Sequence, residues 1–203
     1  ISLVGGSIPL ASTEGKVTNS CLMYGADGEV LARYDKIHLF DVDVGGGESY
    51  QESARTTAGS QPVLVPLHNT QVGLTICYDM RFPELFRTLS ERGAEVFTVP
   101  SAFTVPTGQA HWHVLLRCRA IENLAWIIAP AQAGCHPGGG ETFGHSLIID
   151  PWGEVVGRAL SALFAVGLSD ELNAALDTAI GPKTPQGPSV AAHGRALRRQ
   201  PDL

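Results

Sequence analysis

Through the middle of the chain, short continuous apolar runs alternate with stretches of helical periodicity. "VGLTIC" (72–77) reads as a buried strand. "PELFRTLSERG" (83–93) follows with Pro at a helix start, Leu85, Phe86 and Leu89 on one face, and Gly93 as the stop. "AEVFTVP" (94–100) predicts the next strand. A longer helix is expected in "GQAHWHVLLRCRAIEN", where Trp112, Leu115, Leu116 and Ala120 recur at helical spacing, and "AWIIAPA" (125–131) predicts another strand. Strand, helix, strand, helix, strand implies an α/β layer architecture.

The flanks read differently. "ISLVGGSIPL" predicts a buried strand, and residues 17–24 and 29–34 flank the turn-rich "GADGE" as a hairpin. A second hairpin is expected in "GHSLIIDPWGEVVG", turning at Pro151, Trp152 and Gly153, so the sheet should be mixed. The glycine triplets at 45–47 and 138–140 lack the strand, Lys and helix context of a phosphate cradle and read as flexible loops. Beyond Gly157 the pattern weakens, and residues 181–203 read as a loose tail.

Composition narrows the function classes. The 203 residues are 44% hydrophobic and 17% charged, the balance of a globular domain. With a net charge of −6 and no basic cluster except "RALRR", no nucleic-acid partner is expected. No apolar stretch reaches the roughly 18 residues of a spanning helix, so no membrane partner is expected either. Four scattered cysteines without a CxxC pair point to a reducing cytoplasm. Cys21 and Cys118, inside strand and helix patterns, read as small hydrophobes. Cys135, His136 and His145 match no zinc spacing, so no metal site is expected.

Cys77 stands out. A thiol at the carboxyl end of a buried strand, just before a turn into a helix, sits where open α/β sheets place ligands. The next backbone N–H can receive an oxyanion. Packing alone is the competing reading. In "YDKIHLF" (34–40), Lys36 ends an apolar strand, an odd place for a hydrated ammonium unless it meets a partner. An edge lysine reaching for water is its plainer reading.

"RYDKIHLFDVDV", "ICYDMRFPEL", "PSAFTVPTGQAHW", "RCRAIEN" and "GHSLIIDPWGEVVG" resemble, in this order, successive signature segments of the nitrilase superfamily, the carbon–nitrogen hydrolases. Within it the run is most similar to the Nit branch of ω-amidases and deaminated-glutathione amidases. The resemblance implies an α-β-β-α sandwich over residues 1–180, a Glu, Lys, Cys triad, and neither metal nor organic cofactor. It places the nucleophile on Cys77 and the triad lysine on Lys36, which with the Tyr78 N–H would hold an oxyanion. A second glutamate matches Glu52, for which a solvated loop carboxylate is the alternative. The ω-amidases imply a carboxylate-bearing small-molecule amide, with Arg81 as its receptor and Phe103 and Thr104 as pocket walls. Arg81 tying down Asp79 or Glu84 is the competing reading. A homo-oligomer is implied for the full-length protein.

Departures from the pattern set further expectations. The family's general base lies upstream of the strand that begins here, and Glu14 and Glu29 match no catalytic segment. Glu84 follows the nucleophile at a helix start, where the dipole favours a carboxylate anyway, and is not the expected base. An N-terminally truncated chain is therefore expected. His113 in "HWH" stands where many Nit members have Glu. The rival to the amidase is a catalytically incompetent or partner-dependent protein of the same lineage.

Overall fold

The computed structural model describes residues 1–12, 15–45, 48–136 and 140–159, and its first unit is an antiparallel meander. β1 (Leu3–Ala11), β2 (Val17–Tyr24) and β3 (Val30–Asp35) pair in that order. The β2–β3 hairpin expected around "GADGE" is closed by Gly25 N–H donating to Glu29 O at 2.8 Å. β1 departs from the expected buried strand: its residues are partly or fully exposed, Ile8 at 42%. The reason is its place at the edge of the three-stranded sheet, where Pro9 is tolerated and the register shifts between Val4 and Ser7 around Gly6 (φ +70°).

β4 (Asp41–Gly45) and β5 (Glu48–Gln51) form a second antiparallel hairpin. Of the first glycine triplet, Gly45 ends β4 opposite Glu48, and Gly46 and Gly47 lie outside the described residues. Val42 opposite Tyr50 and Asp41 opposite Gln51 supply the ladder, and the hairpin returns the chain toward the end of β3. In the second triplet only Gly140 lies within the described residues.

The larger sheet has six strands. β6 (Val63–Leu67) and β7 (Thr70–Leu74) are antiparallel, β8 (Val96–Thr98) and β9 (Trp126–Ala129) continue parallel to β7, and a short pair, β10 (Ala133–Cys135) and β11 (Glu141–Phe143), intervenes. β12 (Ser146–Ile149) and β13 (Val155–Ala159) then extend the sheet antiparallel beyond β9. The sheet is mixed, as expected. Its central parallel strands are buried on both faces, which accounts for their continuous apolar runs.

Helices cover one face. α1 (Pro83–Glu91) buries Leu85, Phe86 and Leu89, with the Phe86 ring 5.0 Å from that of Phe97 on β8. The next helical segment is not the single helix its periodicity predicts. It begins as α2 (Val105–Thr107), widens into a π-turn over Gly108–Trp112, and becomes α3 (His113–Asn123). Two contacts fix the widened turn: Gly108 lies so close to Phe143 that a Cβ would stand 2.3 Å from its ring, and fully buried Trp112 donates Nε1–H to His145 O at 2.7 Å. Buried side chains such as Phe86, Phe97 and Trp112 contribute about 1.5–3 kcal/mol or more each, enough to clamp the helices to the sheet.

Cys21, Met23 and Tyr34 of the small sheet share one buried cluster with Val65, Leu74 and Ile127 of the large one. The described residues thus form an α/β fold of helix, sheet and sheet layers; the second helix layer of the implied sandwich has no counterpart among them. Cys21 is fully buried, as expected, but Cys118 is exposed, because its position on α3 points away from the sheet. The tail expected over 181–203 and the residues of the domain beyond 159 lie outside the described residues. No helix among the described residues is long and apolar enough to cross a membrane.

Candidate active site

The parallel strands β7, β8 and β9 end at one edge of the large sheet, and Cys77 is there. Thr75 N–H donates to Thr98 O at 3.1 Å and Cys77 N–H to Pro100 O at 3.0 Å, so the ladder carries the chain past β7 up to the cysteine. At Cys77 the backbone breaks into the left-handed region (φ +50°) and turns through Cys77–Arg81 into α1. A side chain with a Cβ adopts that conformation only where its surroundings hold it, and such strain gathers at functional sites. The turn leaves Cys77 partly exposed in the wall of a cavity of about 1370 Å³ between the two sheets.

Lys36, directly after β3, reaches the same cavity although only 3% exposed. Its partner is Glu52: Lys36 Nζ stands 2.5 Å from Glu52 Oε2. Phe40 N–H donates to the same oxygen at 2.7 Å and Asn19 Nδ2 to Oε1 at 3.1 Å. Glu52 is therefore a held, half-buried carboxylate rather than a solvated loop group. Burial raises its pKa, but the hydrogen bond and charge of Lys36, with the Phe40 and Asn19 donors, outweigh that and leave it below its ordinary value.

The cysteine thiol is shifted the other way. Burial pushes its pKa up; the Lys36 charge, the Ala102 amide and the Ser101 hydroxyl pull it back, the Glu52 charge works against them, and the balance remains above the ordinary thiol value. The resting sulfur is thus protonated near neutrality, and reaction requires a proton acceptor or a rise in pH.

The position of Lys36 depends on close backbone packing. Gly59 N–H donates to Lys36 O at 2.8 Å, and a Cβ on Gly59 would lie 2.1 Å from Asp35 O. Backbone cannot yield as a flexible side chain does. Gly59→Ala should lower stability by about 1–3 kcal/mol, as overpacking does, and slow any Lys36-dependent chemistry; thermal melts and steady-state rates on one preparation check both. A wild-type Tm would show that this contact relaxes freely.

The other sequence-predicted residues separate. Tyr78 and Phe103 line the cavity, whereas Arg81 and Thr104 stand outside its wall. Arg81 stands over those two rings, its guanidinium carbon 5.7 Å from the Tyr78 ring centre and 5.8 Å from that of Phe103. It makes no ion pair with Asp79 or Glu84; its Nη2 is 3.1 Å from His111 Nδ1. Thr104 pairs its hydroxyl with that of Thr107 at 2.8 Å and faces a smaller pocket with Tyr50 and Glu141. His113 packs against Phe143 and His145, and burial, then the charges of His145 and Arg158, lower its pKa. His136 Nε2 bonds Thr142 Oγ1 and His145 Nδ1 bonds Phe143 O, so both rings are committed locally. Glu29 and Glu84 are exposed, and Glu14 lies outside the described residues.

Sequence reasoning missed Asn19, Phe40, His38 and the role of Asp79. Their signal is not local: Asn19 and Phe40 join Lys36 on Glu52, while Tyr34 and His38 meet Asp79 across a bend at Ile37 and His38.

The family model described as carbon-nitrogen hydrolase matches residues 1–163. A deaminated glutathione amidase from Synechocystis is 51% identical over 160 residues, 77% of this chain and 59% of that protein. The omega-amidase NIT2 of Homo sapiens is 42% identical over 159 residues, 78% of this chain and 57% of that protein. The crystal structure of Saccharomyces cerevisiae Nit3, a member of branch 10 of the nitrilase superfamily, matches with a TM-score of 0.71 at 31% identity, covering 91% of this chain and 66% of Nit3. The chain thus spans under two thirds of the length of the two amidases. With a thiol on a strained turn at the strand ends, a lysine beside it in one cavity and the family match running across both, the chain belongs to the carbon–nitrogen hydrolase family.

Proposed function

We propose that this protein hydrolyses a small carboxylate-bearing amide to an acid and ammonia through a thioester on Cys77. The observation that carries this reading is the convergence of Cys77 and the buried Lys36–Glu52 pair on one cavity wall. Cys77 Sγ attacks the amide carbon, the carbonyl oxygen takes up the electron pair, and Lys36 Nζ and the Tyr78 N–H hold that oxyanion. The C–N bond breaks as the nitrogen takes up the proton that the Cys77 thiol gives up on attack and leaves as ammonia. Water then adds to the thioester, the C–S bond breaks, and the thiol is restored with the acid product. Glu52 keeps Lys36 charged and aimed; its carboxylate, occupied by three donors and held ionised, is a poor base.

The substrate's carboxylate is assigned to Arg81. The names of the similar amidases, acting on deaminated glutathione and ω-amides, support an acidic amide. Arg81 has no carboxylate partner among the described residues, and its guanidinium lies over the Tyr78 and Phe103 rings that line the cavity. A guanidinium binds a carboxylate through two parallel hydrogen bonds that an ammonium cannot reproduce. Arg81→Lys should raise KM for an acidic ω-amide about tenfold more than for its neutral analogue, a difference of about 1.4 kcal/mol. Ammonia release from the two substrates measures it; equal effects would remove Arg81 from recognition.

One observation favours a second reading. Glu52 is the sole carboxylate in the cavity wall among the described residues, while the Cys77 thiol needs a proton acceptor. A chain that binds amides but turns them over only with a partner's help accounts for that, and the same assay decides: no ammonia from a folded chain with Cys77 intact supports it. The four unpaired cysteines fit a cytoplasmic setting. The exposed apolar positions Val114 and Ile121 of α3, with Trp152, support a homo-oligomer.

A further inference from the structure

The most heavily bonded buried charge near the site belongs to no step of the mechanism above. Asp79 is 0% exposed, two residues beyond Cys77 in the strained turn. Four donors converge on its carboxylate. Oδ2 accepts from Tyr34 OH at 2.7 Å and from Ile76 N–H at 2.8 Å; Oδ1 accepts from His38 N–H at 3.1 Å and His38 Nδ1–H at 2.7 Å. An ionised carboxylate donates nothing, so the His38 proton must sit on Nδ1 and every partner must be a donor. Burial, then the charge and hydrogen bond of Asp79, push the Tyr34 phenol far up and keep it a donor.

The partners come from both halves of the site. Ile76 immediately precedes Cys77, while Tyr34 and His38 lie two residues on either side of Lys36. One carboxylate thus ties the cysteine turn to the strand end that carries the lysine. Aromatic packing reinforces the tie: the His38 ring stacks on Phe82 at 3.7 Å, Phe82 meets Tyr78 edge-on at 5.4 Å, and Tyr78 meets Phe40 at 5.1 Å. Phe40 in turn donates its N–H to Glu52.

We propose that Asp79 is a positioning residue that fixes the Cys77 thiol relative to the Lys36 ammonium, holding the strained turn and the lysine-bearing strand end in one register. An Asn at this position meets two donors at each oxygen site with a group that carries two hydrogens on one side. Two of the four bonds become donor-to-donor contacts, and the turn is free to relax away from Lys36.

Thiol alkylation reads this directly. The proposal rests on Cys77 being the nucleophile but not on amide turnover, so its failure and that of the amidase reading are distinguishable. The rate of Cys77 labelling by iodoacetamide is followed against pH by peptide mapping, with exposed Cys118 and Cys135 as internal references. Lys36 is the largest influence that lowers the thiol pKa. In Asp79→Asn the Cys77 profile should therefore move up by about one pH unit, roughly tenfold slower labelling below the midpoint, while the reference cysteines do not change. A merely structural role leaves the profile in place. A through-space charge effect moves it down, since a negative charge has gone. Either result in a folded variant overturns the proposal. If circular dichroism shows that Asp79→Asn does not fold, Tyr34→Phe decides: it removes one donor and keeps the carboxylate, and the profile should move in the same direction by less. An unmoved profile there overturns the proposal. A shifted profile together with no ammonia release from the wild type would sink the amidase reading alone.

Discussion

Replacing Cys77 by Ala should abolish amide hydrolysis, with kcat falling by at least about 10⁴-fold and toward the 10⁶-fold that loss of a nucleophile costs other covalent hydrolases. The other three cysteines should not matter. Cys21 is buried in the sheet interface, and Cys118 and Cys135 are exposed away from the cavity wall. Iodoacetamide should inactivate in step with labelling of Cys77, and faster as pH rises, because its thiol titrates above the ordinary range. Cys118 labels early and without consequence. The decisive comparison is by ammonia release and peptide mapping together. Inactivation that follows Cys118 or Cys135 with Cys77 unmodified would remove the thioester from the mechanism.

The parts of this arrangement that were legible in the sequence are those fixed by local pattern. "VGLTIC", "AEVFTVP" and "AWIIAPA" are apolar throughout because β7, β8 and β9 are parallel and covered on both faces, so their strands, and Cys77 at the edge, could be read directly. The turns at "GADGE" and Pro151-Trp152-Gly153 carried their own chemistry. What was not legible depends on residues distant in sequence. Glu52 meets Lys36 only because the β4–β5 hairpin folds back, and its strands mix Val and Tyr with Asp, Gly and Glu, which dilutes the strand signal. β1 was expected to be buried because apolar composition does not say whether a strand has one neighbour or two. Asp79 looked like a partner for Arg81 at short range; the Tyr34 and His38 donors come from 45 and 41 residues away.

Lys36→Met tests the long-range contact that sequence could not supply, and its effects on rate and stability should separate by pH. On rate, loss of the ammonium removes one of two oxyanion donors, a cost of about 10²–10³ in kcat. On stability, the variant leaves Glu52 half-buried without its counter-charge. Breaking a buried pair by removing one partner typically costs about 3–5 kcal/mol; the remaining exposure of Glu52, 19% of its side chain, places this case near the lower end. The sign of the pH dependence follows from linkage. In the wild type the folded Glu52 pKa lies below its ordinary 4.5, so its contribution is fully present above that value and lost as pH falls through the folded pKa. In Lys36→Met the first-named influence, burial, loses its main opponent, the pKa rises, and the ionised carboxylate is penalised at neutral pH. Below both pKa values Glu52 is neutral in either protein and the penalty vanishes. Urea unfolding of both proteins should therefore show a gap in midpoint that is wide at pH 7 and closes toward pH 3. Glu52→Gln, which keeps the shape without the charge, should lack that pH-dependent component. A gap of equal width at both pH values would mean that packing of the lysine stem, and not the ion pair, accounts for the loss.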